Sequence, residues 1–275
     1  MPRGLSMGRA FVSGSFDDLR SRGVRFLAEA SRLGAVHAFV WPDSAVETET
    51  GRPPKFPQEE RLYLVQSLRW VASASISMGL PEDGVPADAN CLWVIDEKDD
   101  GPGQRNLAAS RGVPCHVIRT ASIAGFSARP AAVGDDRKPA RSAVVTGCYD
   151  WLHSGHVRFF EEVSALGRLY VVVGSDENVR LLKGEGHPMF SQEERRYMAG
   201  SIRFVTGSLI STGSGWLDAE PEIRRIRPDI YAVNEDGDKP EKRDFCRDNG
   251  IRYVVLRRTP RPGLPPRTST DLRGS

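Results

Sequence analysis

The chain has 275 residues, with 38 basic and 36 acidic side chains and a formal net charge of +2. That length holds one large or two modest domains, each with its own core, and so even a charge balance speaks against a general nucleic-acid surface. No stretch reaches the roughly 18 apolar residues of a membrane span, Met1–Ala10 lacks the apolar run of a signal peptide, and the four cysteines (Cys91, Cys115, Cys148, Cys246) form no CxxC pair, so a cytoplasmic protein with reduced thiols is expected.

In chain order, the first block is Phe11–Gly34 (FVSGSFDDLRSRGVRFLAEASRLG), and it returns as Val144–Gly167 (VVTGCYDWLHSGHVRFFEEVSALG) at an offset of 133. Phe56–Val71 returns as Phe190–Val205 at offset 134, and Val94–Ile118 matches Val233–Leu256 more loosely. Self-similarity of this kind predicts a duplication. Between the copies, Ser127–Ser142 is rich in Pro, Gly, Ala and charge and reads as a linker. In the second copy Ala143–Thr146 predicts a strand, followed by an amphipathic helix from about Ser154. That helix buries Val157, Phe160 and Val163 and stops at Gly167 as a C′ residue. Leu169–Gly174 is continuously apolar, as in a parallel strand covered on both faces. A helix over about Gln192–Phe204, a strand at Ile230–Val233, a helix near Glu241–Asn249 and a strand at Tyr253–Leu256 follow. The alternation predicts an α/β protein of two tandem Rossmann-like, doubly wound parallel-sheet domains: 1–126, a linker at 127–142, and 143–275.

Gly147–His156 (GCYDWLHSGH) carries the chemistry. It lies between a strand end and a helix start, where free N–H groups and the helix dipole favour phosphate. His153 and His156 are spaced to reach one spot and hydrogen-bond the oxygens of an α-phosphate, and Gly155 leaves room for close approach. The bland counterparts are a helix cap and a surface histidine. The segment resembles the GxFDxxHxGH signature of the cytidylyltransferase-like nucleotidyltransferase superfamily. Lys183-Gly184 and Phe190–Arg195 (FSQEER) resemble elements of phosphoethanolamine and glycerol-3-phosphate cytidylyltransferases, and Arg258-Thr259 with Thr268–Leu272 (TSTDL) resembles their RTxGxSTTDL motif. The likeness spans about residues 143–273, with a degraded copy over about 10–125.

The resemblance implies that His153 and His156 stabilise the transferring phosphoryl group and that Lys183 reaches the phosphates from a flexible loop. It implies that Arg195 contacts phosphate, that Thr268, Ser269 and Thr270 bond the triphosphate from a helix N-terminus, and that Gly147, Cys148, Tyr149 and Asp150 shape the nucleotide site. Mg²⁺ bridging the phosphates of CTP or ATP is implied as well. Two bland readings stand beside these: Arg195 paired with Glu193 or Asp176, and Lys183 as a solvated lysine. The family spaces RT and STT by a couple of residues, whereas Pro260–Arg267 intervenes here, setting Arg267 beside Arg258 as a candidate. Asn234 is the candidate for base or substrate contact after the fourth strand, and Asp236 and Asp238 read as turn residues.

The first copy has Arg20, Arg22 and Gly23 in place of His153, Gly155 and His156, and Glu49 opposite Lys183. It is expected to be a structural partner, with Arg20 and Arg22 as a candidate anion site. The halves are expected to pack as an internal pseudo-dimer, echoing homodimers in the family, with homodimers of the whole chain as a further expectation. The leading expectation is a CTP:phosphoalcohol cytidylyltransferase releasing pyrophosphate, on a phosphoethanolamine- or glycerol-phosphate-like acceptor. The alternatives are an adenylyltransferase acting on a sugar phosphate such as heptose phosphate, whose family Ser175–Gly184 also resembles, or a non-catalytic nucleotide-binding regulator.

Overall fold

A computed structural model describes residues 8–77, 91–126, 141–269 and 272. The chain divides into two compact units, Met1–Phe126 and Ser127–Ser275. In the first, β1 (Arg9–Gly14), α1 (Ser21–Ala30), β2 (Ala35–Val40), α2 (Asp43–Thr50), α3 (Gln58–Gln66), β3 (Val71–Ile76), β4 (Cys91–Asp96), α4 (Pro102–Ser110) and β5 (Cys115–Ile118) alternate along the chain. The second repeats the series with β6 (Ser142–Gly147), α5 (Ser154–Ser164), β7 (Arg168–Val173), α6 (Asp176–Lys183), α7 (Gln192–Gly200), β8 (Val205–Ile210), α8 (Glu220–Ile226), β9 (Ile230–Asn234), α9 (Pro240–Asp248) and β10 (Arg252–Leu256).

Both sheets are parallel and five-stranded, ordered β3-β2-β1-β4-β5 and β10-β9-β6-β7-β8. Read from β8, the second order is the first repeated. In each, the chain reverses its direction of winding between the first strand and its neighbour, β1/β4 and β6/β9, so ligands belong at the carboxyl ends of those strands. Burial follows from the sequence. β6 and β7 place Ala143, Val144, Val145, Val171, Val172 and Val173 essentially out of solvent, and α5 turns Val157, Phe160 and Val163 inward at 0% exposure. Each Val or Phe among them contributes about 1.5–3 kcal/mol by leaving water. On the opposite face Ala219, Ile223, Phe245 and Cys246 pack on Tyr231 and Val233. In the first unit Phe11 and Trp93 stack at 5.9 Å between centroids, covered by Ala108 and Val113.

Several local expectations change. α5 ends at Ser164 with Ala165 as a right-handed cap, so Gly167 is not its C′ residue. Gly167 is needed because a Cβ there would sit 2.5 Å from the Arg141 carbonyl oxygen, where the chain enters β6. α7 stops at Gly200, short of Phe204, and Gly200 packs against β8, where a Cβ would be 2.5 Å from Ser208 Oγ. β8 and the helices α6 and α8 add to the elements expected from the sequence. No helix among the described residues is long and apolar enough to cross a membrane.

Candidate functional site

The site is built at the carboxyl end of β6. Gly147 closes the strand, and Tyr149 follows with φ of +52°, a left-handed turn that the first unit repeats at Phe16 with φ of +50°. Glycine is required at 147: a Cβ would stand 2.9 Å from Tyr149 Cζ, because the tyrosine ring lies across it. Tyr149 is 6% exposed and packs edge-on against His156 at 5.2 Å and Phe160 at 5.1 Å. Cys148 is partly buried, and burial pushes its thiol upward. Asp150, 4% exposed, accepts from the Met189 and Phe190 N–H groups at 2.8 and 3.1 Å, pinning the segment after α6 beneath the turn.

His153 is the N-cap of α5, and its Nδ1 accepts from Gly155 N–H at 3.1 Å. With that lone pair engaged, the ring proton sits on Nε2, which is buried and has no protein partner. His156 lies one turn on, its ring stacked on that of His153 at 3.9 Å between centroids, its Nδ1 likewise unpartnered. Two orphaned imidazole nitrogens at a helix N-terminus form a place for an anion. Gly155 keeps it open, since a Cβ there would be 3.0 Å from the His153 ring. Burial holds both imidazoles neutral. His153 is pushed well below its usual range by burial, then by His156, Arg258 and Arg267. His156 is lowered to about 3 by burial, then by Arg258 and Lys183, with the Trp151 carbonyl opposing.

The low histidine values have a consequence for stability. Unfolded histidine titrates near 6.5, so below that pH the unfolded chain takes up protons that the folded one refuses. The contribution is complete above about pH 6.5 and is lost as pH falls toward 3. Lowering the pH from 7 to 5 is expected to cost the second unit about 2 kcal/mol through His156 alone. Thermal unfolding between pH 5 and 7 checks this, and His156→Asn should flatten the dependence.

Lys183 is the last residue of α6 rather than part of a loop; it is exposed and its ammonium is felt at His156 and Cys148. Asn234 ends β9, and with Gly155, Arg158, Phe159, Glu162, Arg258, Arg267 and Thr268 it lines a cleft beside the histidines. The sequence reading missed Arg158, Phe159 and Glu162 there; their i, i+1, i+4 spacing after the HSGH turn was the available signal. Ser269 is half-buried, and Thr270 lies outside the described residues, as does most of the linker.

Arg195 corrects its expectation. It is 1% exposed: Nε donates to the Phe190 carbonyl, Nη1 to the Cys148 carbonyl, and Nη2 to the Gly174 carbonyl and Asp176 Oδ1, at 2.7–2.9 Å. A guanidinium so committed has little left for phosphate; it ties three loops together. Arg61 does the same in the first unit, donating to the Phe56 and Ser15 carbonyls and to Asp43. Of the two pairings the sequence left open, with Glu193 or with Asp176, the one with Asp176 is formed.

The first unit also settles Arg20 and Arg22. Arg20 bonds Asp18, and Arg22 makes a two-pronged ion pair with Asp96 at the end of β4. Arg22 and Asp96 stand at the positions of Gly155 and Asn234, so an ion pair fills the place that is a cleft in the second unit. Both guanidiniums are paired with carboxylates.

Over residues 144–250 the chain matches the family described as Cytidylyltransferase-like. It is 34% identical over 117 residues to the FAD synthase of Aciduliprofundum boonei, covering 42% of this chain and 75% of that protein. It is also 34% identical over 126 residues to the FAD synthase of Thermococcus kodakarensis, 45% of this chain and 82% of that one. A third relative is the Bifunctional protein HldE of Methylococcus capsulatus, 38% identical over 101 residues, which is 36% of this chain and 21% of that protein. With the HSGH turn at the switch point of a parallel sheet, these likenesses place the chain in the cytidylyltransferase-like nucleotidyltransferase superfamily.

Proposed function

We propose that the second unit transfers an adenylyl group from ATP to a small phosphate-bearing acceptor and releases pyrophosphate. The observation that carries this is the stacked pair His153/His156, with unpartnered ring nitrogens at the α5 N-terminus. An acceptor phosphate oxygen attacks the α-phosphorus in line; the new P–O bond forms as the bond to the bridging oxygen breaks, and pyrophosphate leaves with that electron pair. His153 Nε2–H donates to an α-phosphate oxygen, and the His156 ring stacked on it holds that imidazole in place. Lys183, at the open end of α6, meets the leaving phosphates.

ATP rather than CTP is supported by relatives named FAD synthase, whose product carries an adenylyl half. The cytidylyl reading of the sequence becomes the second arm of the test. Among the described residues no group of three or more His, Cys, Asp or Glu is placed to hold a metal; Mg²⁺ belongs to the proposal as a companion of the triphosphate, held by phosphate oxygens and water. The test is pyrophosphate release from ATP and from CTP with Mg²⁺, over a panel of FMN, sugar phosphates, phosphoethanolamine and glycerol 3-phosphate. Turnover with ATP and one acceptor is expected. Turnover with CTP alone would restore the cytidylyl reading, and nucleotide binding without any turnover would favour a regulator.

A further inference from the structure

The family signature carries phenylalanine where this chain has Tyr149, and the first unit keeps Phe16 at the equivalent turn. Both residues are left-handed, at φ of +52° and +50°, and both lay the ring over the glycine that closes the strand. A phenyl ring therefore suffices for the turn and for the packing on His156 and Phe160. The hydroxyl needs a separate explanation, because it is buried and has no hydrogen-bond partner. Its neighbours are engaged elsewhere. The Tyr231 hydroxyl shares a hydrogen bond with Thr146 Oγ1 at 2.7 Å, and Asp236 accepts from Arg258 Nη1 at 2.7 Å. Burial first, then Tyr231, Cys148 and Asp236, hold the phenol well above its usual range, so it stays a neutral O–H.

His156 packs on the same ring, and the Trp151 carbonyl takes one side of its imidazole, which leaves the buried Nδ1 a bare acceptor. A neutral donor and a neutral acceptor, unpaired on two rings in contact, suit an alcohol, which accepts from one and donates to the other. The sheet order indicates which alcohol. β6 lies between β9 and β7. Lys183, assigned to the leaving phosphates, ends the helix after β7, whereas Tyr231 and Asp236 belong to β9 and the turn after it. The nucleoside end of the nucleotide then runs toward β9, past Tyr149. We propose that the Tyr149 hydroxyl binds the ribose of the nucleotide, donating to a sugar hydroxyl whose own O–H donates to His156 Nδ1. This rests on the nucleotidyl-transfer reading and adds a contact that the phenylalanine of the signature cannot make.

The experiment is calorimetric titration of the full chain with ATP, 2′-deoxy-ATP and 3′-deoxy-ATP, or the matching CTP series if only CTP binds. Thermal unfolding of the ligand-free protein accompanies it. Tyr149→Phe is expected to weaken binding of the ribonucleotide about 3–10-fold, the loss of one neutral hydrogen bond. Its thermal midpoint should be unchanged or higher, since no bond within the protein is lost. The native chain should lose at least a similar factor with one of the two deoxy analogues. Tyr149→Phe should bind that analogue as well as the native chain does, because the two losses share one contact. Native affinity for the ribonucleotide in Tyr149→Phe would overturn the inference. So would an equal penalty of that variant with all three nucleotides, which would move the contact off the ribose hydroxyls. A lowered thermal midpoint would show the hydroxyl bonded within the protein and would overturn it as well. A native chain that binds neither ATP nor CTP would remove the nucleotidyl-transfer reading and the inference with it.

Discussion

Replacing His156 by alanine is expected to lower nucleotidyl transfer about 10²–10⁴-fold while leaving the fold in place. The imidazole sits at the helix N-terminus with Nδ1 unpartnered, so its removal breaks no protein bond at that nitrogen. What is lost is the ring that holds His153 Nε2–H toward the α-phosphate, a contact that strengthens as charge grows there. The effect should therefore fall on kcat more than on KM for the nucleotide. His153→Ala should cost activity on the same scale and also about 1 kcal/mol of stability, because Nδ1 caps α5 through Gly155 N–H. Pyrophosphate release and denaturant unfolding, measured on both variants, separate these effects. A His156→Ala protein that turned over at the native rate would end the proposed mechanism.

Arg195→Met is expected to destabilise the second unit by about 3–5 kcal/mol, since removing one partner leaves buried groups unpaired. The lost bonds are those to the Phe190, Cys148 and Gly174 carbonyls and to Asp176. Arg61→Met should have a comparable effect on the first unit, where the same bonds run to Phe56, Ser15 and Asp43. The measurement is urea unfolding together with the KM of the protein that remains folded. A structural anchor predicts reduced stability with a KM near the native value. A phosphate ligand predicts the reverse, and a stable Arg195→Met protein with a sharply raised KM would refute the structural assignment.

The histidine pair was legible because its spacing and its place between a strand and a helix are both local properties. For Arg195 the sequence offered two carboxylate partners, Glu193 and Asp176, and the fold forms the pair with Asp176. β8 was hidden because VTGSLI carries a glycine and follows directly on a helical run, so the periodicity has no gap to announce the change. The fate of Arg22 was not readable: its partner Asp96 is 74 residues away, and only the β1/β4 pairing brings them together. The same holds for Arg258 and Asp236, which are joined across the ends of β9 and β10.

The sequence by itself determined the duplication signal, the α/β alternation and the pairing of His153 with His156, because hydrophobic period, turn chemistry and motif spacing act over a few residues. Only the tertiary structure decided which charges are free to meet a ligand. Arg195, Arg22 and Arg258 are candidate anion-binding cations in the sequence, and all are held by acceptors distant along the chain. A guanidinium's partners are set by where parallel strands end and loops cross, and that is a property of the folded sheet.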